Sequence, residues 1–535
     1  GNPPYSNNPT ASMVLSVICA WLRNDLRVHD SLVLSRAAQL SKEQKLPVLP
    51  VYFFDPRQFQ QTKFGTLKTG AFRALFLLQS VRVLKRRLRA IGSDLLIQVG
   101  KPEELLPKLL DKKSIVLTQE EVTSEELRVD AALRQSLQAN AGCEAFEYCW
   151  GSTLFHKDDL PFQKDLRDAP DVFTSFKNQV EPEMAARVNE VPDTFRGNKK
   201  SRSAMGVRPC LPELRYGDLP LPSTGASLDF ELIFEPEWKD LPYATRVDEP
   251  TLPETAATQF EGGEEAALHR LQYYLFESNH IAKYFETRNG MLGPDYSTKF
   301  APWLAFGCLS PRKIFEQIRE YEKEQVANKS TYWVLFELMW RDFFRFFAAK
   351  HGNQIFKLHG IAGGRDWKSD MQLFQLWAEG RTGFPLVDAN MRELRATGFM
   401  SNRGRQNVAS FLALDMGLDW RQGADWFESF LVDYDVASNW RNWIHAAGLT
   451  TGRVNRFNVV RQSKMYDKDG AYIRHWIPEL RNVPVRFIHE PWTMSPDEKA
   501  TFGAESYSEP CLSPSKFRDD GGGRKGGKKG RGRGR

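Results

Sequence analysis

Short apolar runs alternate with amphipathic stretches along the first 150 residues of the chain. Five such runs, each of strand length, occupy residues 14–21, 48–54, 94–99, 114–118 and 145–150. Between the second and third runs, residues 69–91 show the apolar spacing of a helix that ends at Gly92. Ser124, followed by two glutamates, favours the start of another helix. This alternation predicts an α/β unit with a doubly wound parallel sheet.

The turn after the first apolar run reads RNDLR at residues 23–27. It lacks the G-x-G-x-x-G pattern that lets a dinucleotide pyrophosphate approach the backbone in nucleotide-binding sheets. If the protein binds a dinucleotide, we therefore expect the site elsewhere in the chain.

The pattern changes after residue 150, where prolines recur, and again near residue 261, where helical spacing returns with many aromatic residues. Eleven of the 14 tryptophans follow residue 300, which favours an all-α region with an aromatic core. The predicted units are an α/β domain at 13–149, a connector at 150–260, a helical domain at 261–490 and a C-terminal tail at 491–535. The tail is Gly/Lys/Arg-rich from about residue 519, and we expect it to be disordered there.

Composition restricts the class of protein further. Hydrophobic content of 41% and charged content of 26% are typical of a soluble globular protein, and no apolar run approaches the roughly 20 residues of a membrane span. Residues 1–12 contain no secretory signal pattern, and the six cysteines lack zinc or C-x-x-C spacing. We therefore expect an intracellular protein without a metal site, and the sequence leaves nucleus, chloroplast and mitochondrion open.

The net charge of +6 comes from the end of the chain. Residues 521–535 contain seven lysines or arginines and no acid, so the remainder is close to neutral. Such a segment either binds the backbone of RNA or DNA or serves as a solubilising end.

One helical face combines an acid, an indole and a cation. Glu337, Trp340, Arg341 and Phe344 fall at positions i, i+3, i+4 and i+7. This pattern indicates either a buried tryptophan beside an i,i+4 ion pair or a stacking platform for an extruded base.

A second polar constellation lies at residues 397–406, where Ser401 or Thr397 can cap the helix that follows. Three residues of that helix share a face: Asn402, Arg405 and Gln406. Arg405 can pair with Asp433, and Asp433 with Asp435 can hold ribose hydroxyls or an adenine. The alternative is a capped helix with a structural salt bridge.

These motifs together carry a family resemblance. Residues 21–27, 150–162, 287–300 (TRNGMLGPDYSTKF) and 303–305 resemble DASH-type members of the cryptochrome/photolyase family, as do the segments around Glu337 and Asn402. The similarity extends over residues 14–491. It implies a photolyase-like fold, with the α/β domain followed by an all-α domain that binds FAD.

The resemblance also implies the positions of the FAD contacts. They are Tyr284, Ser297, Thr298, Lys299, Phe300, Ala301, Glu337, Arg341, Phe344, Asn402, Arg405, Asp433, Tyr434, Asp435 and Asn439. Asn439 matches the residue that faces the flavin N5, where an amide cannot supply a carboxylic proton. Glu337 and Asn439 are accordingly also assigned to the catalytic machinery.

Three tryptophans, Trp367, Trp420 and Trp443, are by pattern alone most simply core residues. By resemblance they match the chain of indoles that photoreduces the flavin, and Phe427 matches an aromatic residue beside it. Glu121 matches the acid that binds an antenna folate, 5,10-methenyltetrahydrofolate.

Three positions bear on the substrate. Trp340 matches the lesion platform, Gln406 replaces the methionine of duplex-repairing relatives, and His445 stands where those relatives have tryptophan and DASH members more often have tyrosine. A smaller and more polar pocket gives less energy to offset base flipping. The resemblance implies a blue-light-dependent enzyme that repairs cyclobutane pyrimidine dimers, and the pocket leads us to expect this repair preferentially in single-stranded DNA; we also expect a monomer. The alternative function is a signalling photoreceptor with little repair.

Overall fold

The computed structural model describes residues 15–141, 143, 145–181, 207–222, 234–243, 247–254, 256, 258–452 and 454–517. The basic segment 521–535 lies outside these residues.

A five-stranded parallel sheet forms the core of the first domain. Its strands are β1 (Ile18–Trp21), β2 (Val48–Phe54), β3 (Leu96–Val99), β4 (Ile115–Gln119) and β5 (Ala145–Cys149). The order is β3-β2-β1-β4-β5, and every neighbouring pair is parallel. The predicted doubly wound sheet is confirmed, with its topological switch point between β1 and β4, where such sheets open a crevice for ligands.

Helices cover this sheet, as the amphipathic stretches predict. They are α1 (Leu32–Gln44), α2 (Ala71–Ala90), α3 (Pro102–Leu105) and α4 (Ser124–Ala141). Ser31 caps α1 by accepting the Leu34 N–H at 3.3 Å, and Gly92 adopts φ 78° just beyond α2, a backbone conformation that favours glycine. A further helix, α5 (Phe173–Val180), follows the α/β domain.

The second domain is all helical. Its helices are α6 (Glu264–Gln272), α7 (Tyr284–Thr287), α8 (Ala301–Ala305), α9 (Pro311–Glu324), α10 (Lys329–His351), α11 (Met371–Glu379), α12 (Pro385–Thr397), α13 (Asn402–Ser410), α14 (Trp420–Phe430), α15 (Val436–Ala446), α16 (Val459–Tyr466), α17 (Ala471–Trp476), α18 (Val485–Ile488) and α19 (Pro496–Phe502). The predicted class of an α/β domain followed by an all-α domain is thus confirmed. Within the described ranges, no helix is both long and apolar enough to cross a membrane.

Buried polar contacts join the two domains. Asp30 makes a bidentate ion pair with Arg312 (2.6 and 3.0 Å), and Glu264 accepts the backbone N–H groups of Val28 and His29 at 2.9 and 2.8 Å. Because these groups are buried and mutually hydrogen-bonded, they fix the orientation of the helical domain on the sheet. That orientation positions the candidate site.

Candidate functional site

A cavity of about 790 Å³ opens in the helical domain among α13, α14 and α15. Ten residues named from the sequence line it: Asn402, Arg405, Gln406, Phe427, Asp433, Tyr434, Asp435, Asn439, Trp443 and His445. The structure therefore brings together predicted flavin contacts and predicted substrate contacts.

Helix caps place these side chains. Ser401, and not Thr397, caps α13, because its hydroxyl accepts the Gly404 N–H at 3.0 Å. The Thr397 hydroxyl donates instead to the Glu393 carbonyl at 2.8 Å. Asp435 caps α15 by accepting the Ser438 N–H at 2.7 Å. The two capped helices begin at the cavity, so their first turns present polar groups to it.

Arg405 and Asp433 form the predicted ion pair. The Arg405 Nη2 lies 2.7 Å from Asp433 Oδ2, and Arg405 also donates from Nε to the Met400 carbonyl at 2.9 Å. The Asp433 side chain is almost completely buried, and its Oδ1 has no partner among the described residues. A buried carboxylate oxygen facing a cavity is suited to accept from a ligand N–H or hydroxyl.

Asn439 lies on the α15 face that is turned to the cavity. Its Nδ2 donates to the Ala424 carbonyl at 3.0 Å, which fixes the amide and directs its oxygen away from α14. One turn further along, Trp443 packs on Gly423 of α14. A Cβ at Gly423 would come within 2.2 Å of the indole, so only glycine allows this approach.

Trp420 is the first residue of α14 and is fully buried, with its indole N–H donating to the Leu358 carbonyl at 3.1 Å. Trp367 precedes Lys368, whose backbone N–H donates to the Gly417 carbonyl at 2.8 Å. This bridge brings the Trp367 segment against the residues that lead into Trp420. The three predicted tryptophans therefore lie on connected elements, with Trp443 at the cavity.

The predicted substrate residues Gln406 and His445 lie on facing helices. Gln406 Oε1 accepts from Arg403 Nη1 at 2.9 Å, and Arg403 Nη2 donates to Asn289 at 2.9 Å. Burial and, secondarily, the guanidinium of Arg441 lower the pKa of His445, so its imidazole is neutral near pH 7.

Nine predicted FAD contacts do not line this cavity: Tyr284, Ser297, Thr298, Lys299, Phe300, Ala301, Glu337, Arg341 and Phe344. Lys299 is nevertheless linked to it, because the Phe399 ring lies 4.7 Å from Lys299 Nζ and 5.5 Å from the Arg405 guanidinium. Lys299 is buried and makes no ion pair with the described residues; its Nζ lies 3.2 Å from the Ser297 hydroxyl. Burial holds the pKa of its ammonium well below the usual value.

On α10, Glu337 and Arg341 do not contact each other as their i,i+4 spacing suggests. Glu337 pairs with Arg288 at 3.1 Å rather than with Arg341, which donates to the carbonyls of Ser152 and Leu304. The i,i+4 ion pair, one of the two alternatives that the spacing left open, is therefore not formed, because both side chains reach other segments. Burial raises the pKa of Glu337.

Trp340 is likewise not among the residues of the cavity. Its ring stacks on Phe173 of α5, with centroids 3.6 Å apart and planes 12° apart, and it contacts the Phe344 ring at 5.5 Å. In this conformation Phe173 of α5 covers one face of the indole that the resemblance assigns to the lesion platform.

Glu121 lies in a second cavity, of about 1,200 Å³, between the sheet and the helical domain. Its carboxylate accepts from Arg345 at 3.0 Å and from Gln119 at 3.2 Å. Asp435 and Tyr434 line both cavities, so they separate the two spaces.

Sequence reasoning missed several residues of the first cavity, including Ser438, Asn442, Asn455 and Phe457. Asn442 follows Asn439 by three residues on one helix, so helical spacing could have indicated it. Asn455 and Phe457 come from a loop, whose position no local pattern reveals.

The residues present fit the flavin that the resemblance implies. Phe427, Leu431 and Trp443 give apolar walls for a ring system, whereas Arg405, Asp433 and Asn439 offer donors and acceptors for its polar edge. The buried ammonium of Lys299, without a carboxylate partner among the described residues, suits a phosphate. The cavity residues therefore match the ring system of a flavin dinucleotide, and Lys299 matches its phosphates.

Comparison with known proteins agrees with this chemistry. The family model described as DNA photolyase matches residues 18–193, and that described as the FAD-binding domain of DNA photolyase matches residues 333–520. Cryptochrome DASH, chloroplastic/mitochondrial, of Ostreococcus tauri is 49% identical over 486 residues, which cover 89% of this chain and 86% of the relative.

Two solved structures show the same architecture. The crystal structure of a Synechocystis cryptochrome superposes with a TM-score of 0.83 at 43% identity, covering 94% of this chain and 98% of the other. A class III photolyase from Agrobacterium tumefaciens gives a TM-score of 0.73 at 25% identity, covering 96% and 97%.

Proposed function

Because this chain belongs to the cryptochrome/photolyase family, among its DASH-type members, and carries the family's FAD-binding domain, we propose that it is a blue-light-dependent enzyme that repairs cyclobutane pyrimidine dimers, preferentially in single-stranded DNA. One observation carries the proposal: the Arg405–Asp433 pair and Asn439 share a single cavity with Gln406 and His445. A base that enters this cavity would therefore lie against the cofactor.

When bound, FAD supplies the light-driven electron transfer that splits the dimer, while the protein binds and orients both partners. Asp433 Oδ1 and the Arg405 guanidinium would hold the polar edge of the ring. Asn439 would present its amide oxygen, because its Nδ2 is bonded to the Ala424 carbonyl. An amide at this position has no carboxylic proton to give.

The tryptophans would provide an oxidisable path through the protein. Trp443 forms the cavity wall, and Trp420 lies one turn from Gly423, the residue on which Trp443 packs. Trp367 continues the path through the bridge between Lys368 and Leu418. Indoles are readily oxidised rings, so this placement supports their role in photoreduction.

Preference for a single strand follows from the walls of the cavity. Gln406 and a neutral His445 replace larger, apolar side chains and offer less contact to a flipped dimer. Extruding a base costs a few kcal/mol from a duplex and least from a single strand, so a weakly binding pocket discriminates against duplex DNA.

For the antenna, the folate methenyltetrahydrofolate remains our proposal. The cavity that contains Glu121 is lined by aromatic residues, including Trp21, Tyr52 and Tyr434, on which a flat pterin can stack. A pterin amine would take the place of Gln119, the neutral donor to the carboxylate.

A repair assay tests the function. Purified protein with flavin is photoreduced without oxygen and given matched single-stranded and duplex oligonucleotides that contain one dimer, with a dark sample as the control. We expect repair under blue light mainly of the single strand. Equal repair of duplex DNA would refute the strand preference, and normal photoreduction without repair would favour the photoreceptor alternative.

A further inference from the structure

Arg441 is a buried cation that forms no ion pair or hydrogen bond with the described residues. It lies on α15 with 5% of its surface exposed, and its Nε is buried without a partner among those residues. Its guanidinium packs on two aromatic rings of α10, 4.6 Å from the centroid of Phe347 and 5.4 Å from that of Phe343. Burial lowers the pKa of Arg441 to about 10, and the charge of Asp171 offsets this effect only in part.

The acid that acts on Arg441 is itself engaged elsewhere. Asp171, two residues before α5, accepts from Lys350 Nζ at 2.9 Å and is hydrogen-bonded to His351 Nε2 at 2.6 Å. A buried cation without a counter-ion destabilises the fold, whereas an anionic ligand would neutralise it. The surroundings of Arg441 therefore indicate a site for an anion.

Arg441 adjoins both aromatic groups assigned to the substrate. His445 follows it by four residues, so the two side chains share a face of α15, and His445 lines the first cavity. On α10, the Phe343 ring that contacts Arg441 also contacts Trp340, with ring centroids 5.8 Å apart. A dimer that extends from His445 to Trp340 would bring the phosphodiester between its two bases close to Arg441.

The flavin phosphates have a different cation. Lys299 is linked to Arg405 through the Phe399 ring, at the α13 side of the first cavity. The guanidinium groups that act most strongly on Lys299 are those of Arg270 and Arg405, whereas Arg441 packs against α10. A phosphate of the substrate strand is therefore better placed for Arg441 than a phosphate of the cofactor.

We propose that Arg441 is a specificity-determining residue that binds the phosphodiester between the two pyrimidines of the dimer. The inference rests on the proposed function and assigns to it a substrate contact that the sequence did not indicate. A guanidinium presents paired N–H donors that match two phosphate oxygens, so it holds the backbone in one orientation. The two bases are thereby directed toward His445 and Trp340.

Binding in the dark tests this contact, since no repair occurs without light. The flavin-loaded protein is titrated with a short single strand that contains one dimer. Arg441→Met should weaken binding on the order of tenfold, because it removes a charge-assisted hydrogen bond to phosphate. The slope of log K against log salt should become shallower by about 0.7, the value for one phosphate of a single strand.

A modified strand identifies which phosphate is bound. In this strand a neutral methylphosphonate replaces the phosphodiester within the dimer, and the unmodified protein should bind it as weakly as Arg441→Met binds the natural strand. The losses from the variant and from the modified strand should not add, because both remove the same contact. A methylphosphonate several nucleotides from the dimer should be bound equally well with Arg441 or Met at this position, relative to the natural strand.

Two further variants separate charge from geometry. Arg441→Lys keeps the charge without the planar fork, so we expect intermediate affinity and an unchanged salt slope. Arg421→Met is the matched control, because Arg421 pairs with Asp419 at 2.8 Å on α14. It should leave strand affinity and salt slope unchanged.

The free energy of unfolding distinguishes this role from a structural one. Methionine packs well against aromatic rings such as Phe343 and Phe347, and Arg441→Met removes a buried charge that has no counter-ion. Its stability should therefore be equal to or higher than that of the unmodified protein, although it binds the strand more weakly. A less stable variant with unchanged strand affinity would show that Arg441 serves packing alone.

Additive losses from Arg441→Met and the methylphosphonate within the dimer would also overturn the proposal, since the two would then act on different contacts. Because binding is read in the dark, the proposed function is tested separately. Binding that depends on this phosphate and on Arg441, without repair under blue light, would refute the proposed function alone.

Discussion

Arg405 and Asp433 form an ion pair at the wall of the candidate flavin cavity, with 2.7 Å between Nη2 and Oδ2, and Asp433 keeps one buried oxygen unpaired among the described residues. The pair joins α13 to the loop before α15. It therefore has two roles that can be separated by experiment: it stabilises the helical domain, and it offers polar groups to a ligand.

Arg405→Met should lower the free energy of unfolding by roughly 2–3 kcal/mol, because it leaves Asp433 buried without its cation. The flavin content after gel filtration, read by absorbance, should fall. Arg421→Met is a matched control, since Arg421 pairs with Asp419 at 2.8 Å away from the cavity. Equal flavin loss in both variants would contradict the assignment of Arg405.

Trp443→Phe should abolish photoreduction of the bound flavin, because it removes the oxidisable ring at the cavity. Trp377→Phe is the control: Trp377 is fully buried and lies 6.1 Å from Trp443, but it is not part of the proposed path. The rate of flavin bleaching under anaerobic blue light measures both. Photoreduction that survives in the first variant and fails in the second would place the path through Trp377.

Asp342 should make stability depend on pH. It is fully buried and accepts the N–H groups of Leu154 and Phe155 at 3.0 and 2.8 Å, and burial raises its pKa to about 7. In the unfolded chain the pKa is about 3.9, so between about pH 4 and 7 the folded protein binds more protons. This carboxyl therefore reduces the free energy of unfolding as pH rises through that window.

Between pH 4.5 and 7.5 the free energy of unfolding should fall by roughly 1–4 kcal/mol less in Asp342→Asn than in the unmodified protein. Urea unfolding at both pH values measures this difference. The variant should be less stable at the lower pH, because an amide oxygen cannot serve both backbone donors as well. Asp497→Asn, at an exposed helix start, is the control. A slope identical to that of the unmodified protein would show that Asp342 does not titrate in this range.

Arg403 should act on substrate binding through Gln406. It donates to Gln406 Oε1 and stacks on Tyr466, with 4.4 Å from guanidinium to ring, so it fixes the amide with its NH₂ group available to a pyrimidine carbonyl. Arg403→Met should weaken dark binding of a dimer-bearing strand by about 2–10-fold, the value of one hydrogen bond. Undamaged strands should bind as before.

The double variant of Arg403→Met with Gln406→Met provides the check for coupling. If Arg403 acts through Gln406, the two reductions in binding free energy should not add. Additive reductions would mean that Arg403 contacts the strand on its own.

The sequence predicted the sheet well because the hydrophobic pattern of a buried strand is a local property of the chain. The run at residues 48–54 is apolar throughout and is observed unchanged as Val48–Phe54, although it contains Pro50. Pairing between β2 and β3 begins only at Val51, so Pro50 interrupts no pairing on that side. The sequence also offered Asp433 as a possible partner of Arg405, and the structure forms this ion pair at 2.7 Å.

The partners of long side chains were less predictable. Glu337 and Arg341 have i,i+4 spacing, yet each finds its partner on another segment. Trp340 stacks on Phe173, about 170 residues away in the chain. The partner of a long side chain depends on which distant segments the fold brings close to it, and the spacing of residues along one helix does not contain that information.

The sequence by itself determined the order of elements, the family and several of the polar and aromatic residues at the site, because periodicity, caps and motifs are written locally in the chain. Only the tertiary structure decided that Asp435 and Tyr434 separate two cavities, and that Phe517 accepts a hydrogen bond from Asn458, the neighbour of Phe457. The physical reason is that cavities and surfaces arise where distant segments pack together. Their shape is therefore set by the whole fold and not by any one stretch of residues.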